Sequence, residues 1–149
     1  MAVEDGFDLR ELEQLAKDLD LVADHYPDEA KEFLTKQANE TRKRLRQMYR
    51  MTTKNKTGNL VKGIRRTQVQ KYHEDYQIRV KNVAPHAHLI EHGHVQWVPV
   101  KGRKGARRKT EQYVPGKHPA AYTVKSMKAT MPDDASKMVD ELLKKGGFG

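Results

Sequence analysis

Histidine and carboxylate come closest together at His88-Leu89-Ile90-Glu91-His92. The segment fits the H-x-x-E-H pattern, in which two imidazoles on one helical face bind zinc and the carboxylate works as general base. That chemistry needs a stable helix, a further protein ligand downstream and a cleft for substrate. Pro85 and Gly93 bracket the segment and leave it barely two turns. The rest of the chain is too small to build a peptidase around it. A looser, adventitious metal site on His86, His88, His92 and His94 ranks above zinc catalysis. Above both ranks a short helical turn that presents imidazoles at a polar surface or interface. Five of the seven histidines fall between residues 86 and 118. Contacts there could respond to pH near neutrality, though solvated polar side chains are the plainer reading. No resident metal, cofactor or catalytic residue is expected.

Other reactive constellations are missing from the sequence. There is no Ser-His-Asp arrangement, no G-x-S-x-G, no P-loop and no G-x-G-x-x-G. Lys101-Gly102-Arg103-Lys104-Gly105 lacks the flanking strand and helix of a phosphate cradle. What this stretch does offer is charge: Lys101, Arg103, Lys104, Arg107, Arg108 and Lys109 within nine residues. Phosphate neutralisation would give such a run non-specific nucleic-acid affinity. Only Trp97 and Tyr113 flank it as stacking platforms, so nucleic acid ranks third. A solvated loop, and an arm that reaches an acidic neighbouring subunit, rank equal above it. Residues Lys101–Thr110 contain no large apolar side chain, and ordering them costs about 1–2 kcal/mol per residue in backbone entropy. The loop is therefore expected to be mobile in the free subunit and ordered by a neighbour's carboxylates.

These residues must be positioned by a modest core. The chain has 149 residues, 36% hydrophobic and 33% charged. Typical values are about 45–50% and about 25%, so much of the surface must be solvated or in contact with a partner. One domain is expected over residues 1–149, with an acidic N-terminal helix over residues 1–27. The absence of cysteine excludes a disulfide framework, thiolate zinc sites and a cysteine nucleophile, and fits a reducing compartment. No apolar run is long enough for a transmembrane helix, no membrane partner is expected, and the acidic N-terminus does not read as a signal peptide. The net charge of +9 is unevenly spread: residues 1–40 carry 4 basic and 12 acidic residues, and residues 41–83 carry 13 and 2. Such a dipolar chain can pair head to middle, within one subunit or between subunits.

Asp8-Leu9-Arg10-Glu11 has the form of a capping box, and Leu9, Leu12, Leu15, Ala16, Leu19 and Val22 follow at helical spacing. Pro27 is expected to close this helix and open a second one. The second helix, at roughly 36 Å the longest element, would bury Leu34, Ala38, Leu45, Met48 and Tyr49. Alternating polarity predicts a hairpin over 64–71 and 76–83, a strand at Val95–Val100 with Trp97 inward, and a short return at Tyr113-Val114. Pro119 starts a helix that Pro132 is expected to break, with Asp133 or Asp134 capping a last one.

Lys56-Thr57-Gly58-Asn59-Leu60-Val61-Lys62-Gly63-Ile64 resembles the T-G-x-L-x-x-S-I segment of tail-completion, or head–tail joining, proteins of long-tailed bacteriophages, related to the minor tail protein Z type. Ala84-Pro85-His86-Ala87-His88-Leu89-Ile90-Glu91-His92-Gly93 resembles that family's x-x-Y-A-x-x-V-E-x-G segment, and Lys117-His118-Pro119-Ala120-Ala121 its proline-led start of a C-terminal helix. Gly63, His86 and Ala120 stand where the family usually has Ser, Tyr and an aromatic residue. The resemblance implies an α+β fold with the family's core over residues 28–145, a long helix packed on a small antiparallel sheet with a C-terminal helix. It implies a homo-oligomeric ring, commonly a hexamer, in the neck or at the head-proximal end of the tail, and no enzymatic activity. The partners it implies are a tail terminator or tail-tube protein and a head-completion protein. The location it implies is host cytoplasm during assembly and then the virion. Gly58, Leu60, Glu91, Gly93 and Pro119 are the motif positions marked for assembly and turns. Glu91 is expected to satisfy backbone donors in its own turn, and Gly93 to take a positive φ. The rival reading is a small basic nucleic-acid-binding protein.

Overall fold

The computed structural model describes residues 9–54 and 58–149. Asp8 of the capping box and Lys56-Thr57 of the first motif lie outside the described residues. The order of elements is α1 (Leu9–Thr52), α2 (Asn59–Lys62), β1 (Ile64–Arg66), β2 (Gln70–Tyr72), β3 (Asp75–Gln77), β4 (Val80–Asn82), α3 (Ala87–His92), β5 (Gly93–Pro99), β6 (Arg107–Pro115) and α4 (Pro119–Lys145). The fold is α+β, as expected: a long N-terminal helix, small antiparallel sheets and a C-terminal helix.

The two prolines expected to end helices do not. Pro27 lies inside α1, a single helix of 44 residues, and Pro132 inside α4, a single helix of 27. A proline withholds one N–H from the carbonyl four residues back. Those carbonyls belong to Ala23 and Lys128, both exposed residues, so water can take the freed acceptor at each site. Asp134 consequently caps nothing. Its carboxylate accepts from Nε2 of the buried Gln37 at 2.9 Å, joining α4 to α1.

α1 and α4 run antiparallel. Arg44 Nη1 donates to Ser126 Oγ at 2.8 Å and to Thr130 Oγ1 at 3.3 Å. Gln37 meets Asp134, and further along Lys145 pairs with Glu29. At the far end Gly146 packs so closely on Val22 that a Cβ there would stand 2.3 Å from its Cγ2. The chain after α4 reaches one turn further, to Asp18, where a Cβ on Gly147 would stand 3.8 Å from the carboxylate carbon; about two and a half turns of α1 run on past it. Burial follows the same division: Ala30, Ala38, Leu45 and Tyr49 are buried, and Leu34 and Met48 half-buried, while Leu12, Leu15, Leu19 and Leu21 are exposed.

The expected hairpin over 64–83 forms in two pieces. β1 pairs with β4, Ile64 opposite Asn82, and β2 pairs with β3, Gln70 opposite Gln77. Between them the register slips by one residue, which disrupts the ladder as a bulge does. There Thr67 N donates to Arg79 O at 2.8 Å, and Arg79 N donates to the Thr67 hydroxyl at 3.1 Å. The core cluster is Leu45, Tyr49 and Ile64, against which Leu60, Val61, Val80, Ile90 and Ala120 pack.

The second hairpin departs most from expectation. β6 begins at Arg107, so the basic stretch read as loop to Thr110 is half strand: Arg107, Arg108 and Lys109 pair with Pro99, Val98 and Trp97. Trp97 is 56% exposed rather than inward. Among the described residues β5 and β6 pair only with each other, so the indole stands on a ribbon of two strands.

Candidate functional site

The residues singled out by sequence fall into two groups. Gly58, Leu60, Glu91, Gly93 and Pro119 belong to one joint, where the end of α1, α2, α3, β5, β6 and the start of α4 meet. The six cations of the basic stretch belong to the β5–β6 arm that leaves this joint.

The joint is built around Glu91. Pro119 fills the first position of α4 and is almost fully buried. Its ring has no N–H to satisfy, so the first free amides are those of Ala120 and Ala121. Glu91 Oε2 accepts from Ala120 N at 2.9 Å and Oε1 from Ala121 N at 3.1 Å. The carboxylate thus caps a helix about thirty residues away rather than its own turn, where it had been expected to act. A negative charge at a helix N-terminus is favoured by the dipole as well as by the two hydrogen bonds. The H-x-x-E-H reading loses its base by the same contacts. His86, His88 and His92 are exposed and His94 is half-buried. Among the described residues no three side chains of His, Cys, Asp or Glu converge to hold a metal ion.

Gly93 follows α3 with φ 82 and ψ 173. A Cβ there would lie 2.4 Å from the Tyr113 hydroxyl and 2.6 Å from Val114 O, so space as well as φ requires glycine. The Tyr113 hydroxyl donates to His92 O at 2.7 Å, and Lys117 N to Ile90 O at 2.7 Å. Lys117 Nζ donates to Thr52 O and ties the joint to the end of α1. His118 takes the left-handed conformation, φ 50, which turns the chain from β6 into α4.

Sequence reasoning missed Tyr113, Gly116 and Lys117 as parts of the joint. Pro115-Gly116 was the available signal, because such a pair marks a tight turn. A Cβ on Gly116 would stand 2.3 Å from Glu91 O.

On the other side, Gly58 takes φ 72 and starts α2, which brings Leu60 against the core cluster. The Asn82 amide donates to Leu60 O at 3.0 Å, and Asn82 Oδ1 accepts from Ala84 N at 3.0 Å. Gly63, where the resembled family usually has Ser, is buried. A Cβ there would meet Asn82 Oδ1 at 2.6 Å. Tyr49 sits at the centre, 2% exposed. Burial pushes its phenol pKa up, the Asn82 amide opposes that, and the Glu91 charge adds to it.

The arm carries its charge outward. Lys101, Arg103, Lys104, Arg107, Arg108 and Lys109 are all exposed, and among the described residues none takes part in an ion pair. Val100 N donates to Ala106 O at 2.9 Å and closes the tip. Gly102 and Gly105 both have positive φ there. At the opposite end of the molecule, residues 12–29 of α1 hold six carboxylates and one lysine beside exposed Leu12, Leu15, Leu19 and Tyr26.

Residues 13–93 match a family model described as "Bacteriophage HK97-gp10, putative tail-component". Neither the curated proteins nor the solved structures give a match.

Proposed function

The chain belongs to the HK97-gp10-like family of bacteriophage tail components, and on that premise we propose that it completes the tail or joins it to the head as one subunit of a ring in the neck. The observation that carries this reading is how much of the chain lies outside its own core. The N-terminal turns of α1 and the outer part of the β5–β6 arm lie beyond the packed joint with exposed apolar and charged side chains, Leu12, Leu15, Leu19 and Trp97 among them. Exposed large apolar groups in a contiguous patch mark an interaction surface. The role is structural, with Glu91 and its neighbours spent on holding the joint. The protein works in the virion, after assembly in the host cytoplasm. No helix of the described residues is long and apolar enough to cross a membrane. Its partners are further copies of itself, six being the expected number, and the tail-tube or terminator and head-completion proteins on either side.

The test is assembly. Particles made without this chain should accumulate heads and tails separately, and adding the purified protein should join them. Native mass spectrometry of the protein, alone and with tails, should show a closed oligomer. Normal joining in its absence would overturn the reading.

A second reading, nucleic-acid binding, draws on the six exposed cations of the arm tip. It requires an affinity for DNA or RNA that falls steeply with salt.

A further inference from the structure

The arm tip and the acidic end of α1 have opposite charge, yet one subunit cannot bring them together. The arm is rooted beside Thr52, through Lys117 Nζ. Seven strand residues and a tip reach about 30 Å at about 3.3 Å per residue. Glu13, Asp20 and Asp24 lie about 42–59 Å from Thr52 along α1, at about 1.5 Å per residue. Laid flat along its own helix, the arm still falls short of them.

We propose that the arm of one copy docks along the N-terminal half of α1 of the next copy. This rests on the ring reading and assigns its subunit contact. The two surfaces match in chemistry as well as in sign. Trp97 and Pro99 share one face of the outer ribbon with their cross-strand partners Lys109 and Arg107, while Val95 and its partner Tyr113 lie on the root side of a register shift between Val95 and Trp97. Along the arm the side chains run from apolar near the root to cationic toward the tip, and Trp97 and Tyr113 are both more than half exposed. On α1, Leu12, Leu15 and Leu19 form an exposed stripe at spacings of three and four. Glu13, Asp20 and Asp24 form a row beside it at spacings of seven and four. The aromatic pair covers the leucine stripe, and Arg107 and Lys109 lie over the carboxylate row. Arm and helix are different surfaces, so the contact is head to tail, the kind that closes into a ring when the rotation permits.

The test exchanges charge between full-length chains. One variant carries Arg107→Glu, Arg108→Glu and Lys109→Glu, the other Glu13→Lys, Asp20→Lys and Asp24→Lys. All six side chains are exposed, and unchanged circular dichroism and melting will verify the fold. Each variant alone should associate at least tenfold more weakly than wild type in native mass spectrometry. Mixed together they should recover the oligomer, because each arm then finds an oppositely charged helix on the other variant. The chain has no cysteine. Leu19→Cys and Trp97→Cys chains, oxidised as a mixture, should therefore form the mixed dimer and little of either homodimer.

Variants that assemble like wild type, or a mixture that fails to recover, would overturn the contact while leaving the ring reading intact. Equal self-crosslinking of each cysteine chain would mean a symmetric contact instead. An arm variant that keeps its mass but loses salt-sensitive DNA retention would assign the tip to nucleic acid. A wild-type chain that stays monomeric with tails present would remove the ring reading itself.

Discussion

Glu91 shows how one side chain can look catalytic in sequence and be architectural in the fold. Its two oxygens hold the first two free amides of α4, so truncation leaves both donors without a partner. Glu91→Ala should cost about 1–3 kcal/mol in urea denaturation, and Glu91→Gln, which keeps one acceptor, clearly less. If Glu91→Ala unfolds at the wild-type midpoint, the carboxylate does not hold the joint in solution. Tyr49 gives a second test at this scale, through pH. Its folded pKa lies above the ordinary phenol value. Above about pH 10 the unfolded chain loses this proton while the folded chain keeps it, so stability falls as pH rises there. The contribution is complete below that pH and is lost through the raised folded pKa, with a slope of at most about 1.4 kcal/mol per pH unit. Tyr49→Phe should flatten the alkaline decline measured by thermal melting. An unchanged slope would assign the decline to other groups.

Among the elements, the two long helices conflict most plainly with their own sequences. A proline in a helix interior costs about 3 kcal/mol relative to alanine, and both helices carry one. They continue because each packs on the other over many turns, through Arg44, Gln37 and Glu29. Pro132 is exposed, so replacing it removes the defect with little loss of packing. Pro132→Ala should raise the melting temperature, by several degrees if even half of the propensity term is recovered. A lowered melting temperature would show that the ring itself makes a contact. The arm presents the opposite case: residues with no visible strand pattern become a strand. Arg107, Arg108 and Lys109 are exposed on both faces of a lone ribbon. No apolar alternation can appear where neither face is buried, and β5 supplies the pairing through the backbone.

For the molecule as a whole, the core sits at the joint and between α1 and α4, and the two projections lie outside it. Deleting residues 1–17 removes the turns of α1 that run past Asp18. The truncated chain should melt within a few degrees of wild type and fail to form the oligomer. Complete unfolding would show that the overhang belongs to the core. The sequence by itself determined the fold class, the buried face of α1 from Leu34 to Tyr49 and the first hairpin. It also fixed the positive φ at Gly93 and the proline start of α4. These follow from local rules, namely period, turn chemistry and cap positions, which act within a few residues. The motif order also carried the family. Only the tertiary structure decided that Pro27 and Pro132 lie inside helices, because packing between distant segments outweighs local propensity. Only it decided that Glu91 caps α4 and that Trp97 faces outward. Each depends on which segments meet across tens of residues, and local spacing does not encode that.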